Sequence, residues 1–197
     1  MDYKKLNDLI KSSDNIKLKE MSMYQIDSED QFDRNYYELV MSMEGLMNRA
    51  RASVINNTKI DKREYLNAAA KEIGISVNPA PNGVAITLPY LLPKRKSVRS
   101  DSYIIEPLAC ALKEYTEHYK SKKLNQALIT ITSVYTPENK KPIRDLDNIE
   151  LRRVINTIST DLLVDDDTME LYIRNRIGDS VHTEIVVSEA AKTIDCE

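Results

Sequence analysis

Two acidic clusters carry the chemistry open to this chain. Asp145 and Asp147 flank Leu146 and lead into Asn148, and Asp165, Asp166 and Asp167 follow a stretch patterned as one helix, 149–162. Carboxylates crowded at one point repel one another, and a hard cation such as Mg²⁺ relieves that repulsion. A chain that reverses after the helix brings the two clusters together. A cation held there polarises a phosphoryl oxygen and lowers the pKa of a bound water.

Each cluster also has a plainer explanation. Asp147 suits an N-cap, with Glu150 three residues on completing an acidic capping box, an arrangement that contributes about 1 kcal/mol. Asp145 precedes that cap and is not explained by it. The run 165–167 suits a solvated turn between helix and strand. Leu151 shares an apolar stripe with Ile155, Ile158 and Leu162, which marks it for core packing.

Charge is distributed unevenly around these clusters. Residues 91–144 carry eleven Lys or Arg against five Asp or Glu, and residues 145–197 carry five against thirteen, within a net charge of −3. Lys94, Arg95, Lys96 and Arg99 follow one strand pattern, and Lys140, Lys141 and Arg144 lead into the first acidic cluster. A cationic segment beside an acidic one suits a site that grips phosphates while holding metal. On duplex DNA each phosphate contact adds a slope of about −0.9 to the salt dependence. Ordinary solvated faces would show the same composition.

The elements that must position these residues fall into two parts. Residues 1–80 read as a helical extension. Phe32, Tyr36, Val40, Met43, Met47 and Ala50 recur at helical spacing as one apolar face, and Met41, Met43 and Met47 read as core filler. Ser28 and Gln31 offer a capping box for that helix. A shorter helix is expected over 3–11, and another over 62–72, stopped by Gly74. Pro79, Pro81 and the Asn82-Gly83 step mark a break at 78–83, where the domain boundary is expected. From 83 to 190 strands and helices alternate: strands at 84–88, 127–135, 169–173 and 182–187, and a helix at 103–119 with Ile104, Leu108, Ala111, Leu112, Tyr115 and Tyr119 on one face. An end hairpin closes the pattern, 191–197 is a tail, and the class is α+β around one mixed sheet.

Composition narrows the function classes. Hydrophobic residues at 42% and charged residues at 30% balance as in a globular protein. No stretch approaches the roughly 20 apolar residues of a membrane span. The start, Met1-Asp2-Tyr3-Lys4-Lys5, lacks a signal-peptide pattern, and two cysteines (Cys110 and Cys196) make no disulfide framework, so a cytoplasmic setting is expected. His118 and His182 are the only histidines and lack zinc spacing, and four glycines form no phosphate loop or nucleophile elbow. Tyr90, Tyr103 and Tyr135 are candidates for stacking on unpaired bases.

The order Asp145-Leu146-Asp147-Asn148, a helix, then Asp165-Asp166 resembles the RusA-type Holliday-junction resolvases. Upstream, 84–90 is similar to that family's opening strand with its Leu-Pro-aromatic step, and 126–135 to its second strand, so the resemblance covers about 83–189. It implies a RusA-like α+β domain after a helical extension, and a homodimeric Mg²⁺-dependent endonuclease on branched DNA. By the same resemblance, Asp145, Asp147 and Asp166 hold the metal, with Asp165 in support and Asn148 on the loop or a phosphate. One departure stands out. The family carries lysine four residues after the second aspartate, where this chain has Leu151. Arg152 and Arg153 project about 100° and 200° away on a helix and do not replace it, whereas Lys140 or Lys141 could supply the charge. A second reading is therefore a catalytically degenerate relative that binds DNA or protein, and a third is a structural partner acting through the helical extension.

Overall fold

A computed structural model describes residues 3–23, 29–57, 59–92, 102–137, 149, 151–165, 167 and 169–190. The chain divides into two compact units, Met1–Tyr65 and Leu66–Glu197.

In the first unit, α1 (Tyr3–Met23) and α2 (Glu29–Asn57) pack as an antiparallel pair. Lys19 Nζ donates to Ser42 Oγ at 2.9 Å, and Ile16 and Leu39 are buried. The helix expected over 3–11 thus runs much further. Ser28 lies outside the described residues, and α2 begins one residue after it. Met43 and Met47, expected as core filler, are exposed, and so are Phe32 and Tyr36 on the same apolar face. Helical spacing gives a residue a shared face but does not supply a partner for it.

The second unit is built on a five-stranded sheet, β1 (Ser76–Ala80), β2 (Gly83–Leu88), β3 (Ala127–Tyr135), β4 (Met169–Ile177) and β5 (His182–Glu189), in the order β1-β2-β5-β3-β4. Only β3 and β4 are parallel, joined by the crossover helix α5 (Arg152–Leu162). α3 (Lys62–Glu72) leads in. Asp61 Oδ1 caps it by accepting the Arg63 and Glu64 N–H groups. Its far end is a Schellman turn: Gly74, at φ 83°, donates its N–H to Lys71 O, and Ile75 donates to Ala70 O. The turn closes on the buried pair Ala70 and Ile75.

The register builds the core. Ile86, Ile185 and Ile131 form one cross-strand row and Val84, Val187 and Ile129 the next, all buried. Ile104, Leu108 and Leu112 of α4 (Ser102–Tyr119) and Val154, Ile155, Ile158 and Leu162 of α5 cover them. Tyr119, the last residue expected on that face of α4, is exposed. The other face of the sheet carries the rows Thr87, Glu184, Thr132, Arg174 and Ala85, Val186, Thr130, Tyr172.

Three expectations are corrected. Residues 78–83 are not a linker: Pro79 sits in the edge strand β1, and Pro81 and Asn82 turn the β1–β2 hairpin, with Ala80 paired to Gly83. The units divide instead after Tyr65. β4 and β5 form no hairpin, because β5 passes over the end of β3 and inserts beside β2. Its Thr183, Ile185 and Val187 are fully buried, which a central strand requires, whereas no residue of β4 is buried. Finally, Asp147 is not the N-cap of α5. That position belongs to Leu151, with φ −103° and ψ −29° and no side-chain cap bond, and Leu151 packs against the core.

Candidate functional site

β2, β3 and β4 all finish at one end of the sheet, and β5 starts there, because β2 and β3 are both antiparallel to β5 while β4 is parallel to β3. The chain leaving β2 is pinned at this end by Thr183 Oγ1, which donates to Tyr90 O at 2.8 Å. The turn after β4 is pinned by Gly178 N–H, which donates to Tyr135 O at 2.8 Å. Lys94, Arg95, Lys96 and Arg99 follow the first exit. Lys140, Lys141, Arg144, Asp145, Asp147 and Asn148 follow the exit from β3. All of these, and Asp166, lie outside the described residues. Tyr135 is buried at the strand end and is not a stacking platform, Tyr90 is half-buried, and the side chain of Tyr103 lies outside the described residues.

A polar chain of side chains occupies the same sheet end. Arg176 Nη2 donates to Glu184 Oε1 at 2.6 Å, and His182 Nε2 lies 3.1 Å from the same oxygen. Ser180 Oγ lies 3.1 Å from His182 Nδ1. His182 Nδ1 also lies 3.0 Å from the Ser180 carbonyl O, which can only accept, so Glu184 holds Arg176 and one ring nitrogen while Ser180 holds the other. Arg174 Nε donates to the buried Thr132 Oγ1 at 3.0 Å on the same open face.

Asp165 is the one expected metal ligand among the described residues. It is exposed past the C-terminal end of α5, and its Oδ1 accepts the Asp167 N–H at 3.1 Å. α5 rises about 16 Å between Leu151 and this end. One ion held by both acidic clusters therefore needs residues 138–150 to run back along α5, or carboxylates from two subunits. The donor chemistry fits a hard cation: carboxylate oxygens at the negative end of a helix dipole. Among the described residues no three His, Cys, Asp or Glu side chains come together as a metal cage.

Beside Asp165 opens a polar groove of about 380 Å³ lined by Lys123, Asn156, Ser159 and Thr160. Lys123 Nζ donates to Thr160 O at 2.6 Å, a cation on the last turn of α5. Near it, burial pushes the Asp161 carboxyl above its ordinary 3.8, against the pull of Lys123 and Lys113. A raised carboxyl binds its proton more tightly when folded, so the stability it confers at low pH is lost as pH rises past 3.8 through the raised value. Asp161→Asn is expected to raise the urea midpoint at pH 7, with the gain over wild type gone at about pH 3.

One family profile matches residues 2–193, through both compact units. This chain belongs to DUF6100, a family of unknown function. No curated protein matches it. The DUF6100 chain thus has its two loop exits and the Arg176–Glu184–His182–Ser180 set at one sheet end, and Asp165 at the other. The polar set was missed in sequence because its parts are ordinary alone. The signal for it is the parallel β3–α5–β4 unit, since ligands of open α/β sheets bind outside the carboxyl ends of parallel strands.

Proposed function

We propose that this chain is a Mg²⁺-dependent endonuclease acting on branched DNA. What supports this reading is the shared exit: β2 and β3 end side by side with only β5 between them, so the basic segment after β2 and the acidic segment after β3 start from one sheet end. The resemblance of 83–189 to RusA-type resolvases assigns the acidic segment its role. Asp145, Asp147 and Asp166 would hold the ion, with Asp165 beside them, through a run of 138–150 back along α5 or through carboxylates from two subunits. When bound, Mg²⁺ supplies a polarised phosphodiester oxygen and an activated water. Lys94, Arg95, Lys96, Arg99, Lys140, Lys141 and Arg144 bind backbone phosphates and set the register of the strand.

One observation favours a second reading. Leu151 packs against the core where the resemblance expects lysine, which fits a non-catalytic module that keeps only DNA or protein binding. A synthetic four-way junction separates the two. The nuclease makes paired symmetric nicks with Mg²⁺ and none with EDTA. The binding module shifts the junction in a salt-sensitive manner and leaves it intact. A chain that neither cuts nor binds the junction sinks both readings.

A further inference from the structure

We infer that β4 is a self-association edge, onto which a second copy of this chain adds its own β4 to make a continuous sheet. The two edges of the sheet are built differently. β1 is five residues long and carries Pro79, which removes a donor and guards the edge. β4 is nine residues long, pairs with β3 without interruption, and holds no proline. Leu171, Tyr172 and Ile177 are 40%, 56% and 46% exposed on it. Among the described residues nothing pairs with its outer side.

The occupant is identified by charge. Running two β4 strands antiparallel about a two-fold axis at Ile173, the middle of the strand, overlaps all nine residues. Glu170 then faces Arg176 of the second copy, Tyr172 faces Arg174, Met169 faces Ile177, and Ile173 faces itself. Opposite charges directly across a ladder attract, and a guanidinium over a tyrosine ring adds a cation–π contact. The two-fold repeats each pair. Other registers match less of the strand. Centring on Arg174 sets that arginine against its own copy, centring on Tyr172 pairs Glu170 with Arg174 but overlaps only seven residues and leaves Arg176 beyond the partner strand, and parallel in-register pairing sets each charge beside its like. Glu170, Tyr172, Arg174 and Arg176 alternate onto the open face of the sheet; Arg176 also ion-pairs inward with Glu184 of β5, so Glu170 of the second copy has to share that guanidinium. The inference does not rest on the nuclease reading, and an inert dimer satisfies it equally.

Two measurements on the full chain test it. Sedimentation equilibrium is expected to show a dimer, with Glu170→Lys, an exposed change, raising its dissociation constant about tenfold through two like-charge pairs. In a background of Cys110→Ser and Cys196→Ser, Ile173→Cys should oxidise to a covalent dimer, because a residue on the axis meets its copy within disulfide reach. Tyr172→Cys alone should not, yet should cross-link when mixed with Arg174→Cys. A monomer throughout the micromolar range overturns the inference. So does a dimer that Glu170→Lys leaves unmoved and Ile173→Cys does not trap.

Discussion

Asp147→Asn is expected to cut Mg²⁺-dependent junction cleavage about 10³-fold while leaving junction binding and thermal unfolding nearly unchanged. Asparagine keeps the size and hydrogen-bonding reach of aspartate but removes the charge that draws a hard cation. A metal contributes several kcal/mol to phosphoryl transfer, and each 1.36 kcal/mol is tenfold in rate, which sets the scale of the loss. The structural explanation for Asp147 made a different forecast, a destabilisation of about 1 kcal/mol from a lost helix cap. The N-cap of α5 comes four residues too late for that, at Leu151, with no side-chain cap bond. Unfolding should therefore stay within a few tenths of a kcal/mol. Titration with Mn²⁺, followed by electron paramagnetic resonance, gives a readout besides turnover: the wild type should bind the ion and Asp147→Asn should bind it at least tenfold more weakly. Equal Mn²⁺ affinity and cleavage within about threefold of wild type would remove Asp147 from the metal site.

What was legible in the sequence was local. β3 matches its expected span because nine consecutive residues of Ala-Leu-Ile-Thr type leave little choice of element. α3 matches because Gly74 terminates it by a known turn. Errors arise where a local signal has two tertiary solutions. The prolines and Asn82-Gly83 read equally as linker or hairpin, and only the pairing of Ala80 with Gly83 decides. The short turn 178–181 invites a β4–β5 hairpin, but full burial of Thr183, Ile185 and Val187 needs neighbours on both sides of β5. The site divides the same way. Carboxylate spacing was readable, whereas the distance that α5 puts between Leu151 and Asp165, and the meeting of Arg176, Glu184 and His182, follow from the parallel crossover. No residue in the sequence announces that crossover by itself.

Two glycine substitutions should move stability in opposite directions, and the larger effect falls on the sheet. A Cβ on Gly83 would stand 1.9 Å from Val187 O and 2.9 Å from Ser188 Cα, both backbone atoms of β5. Neither can swing aside as a side-chain tip would, so β2 and β5 must part where Gly83 pairs with Ser188. The same stretch carries the Glu189 N–H bond to Asn82 O and the buried row of Val84, Val187 and Ile129. Gly83→Ala is expected to cost about 3 kcal/mol, the upper range for overpacking a core. Gly45 lies inside α2, and among the described residues a Cβ there meets only Arg49 Nη1, at 3.7 Å and free to move. Gly45→Ala removes the entropic penalty of a helical glycine and should stabilise α2 by up to about 1 kcal/mol. Urea unfolding of the full chain, read together with hydrogen exchange at β2 and α2 amides, separates the two effects. Protection should fall across β2 and β5 in the first variant and rise along α2 in the second. If Gly83→Ala unfolds within 1 kcal/mol of wild type, the close approach of β2 to β5 is not what requires glycine at that position.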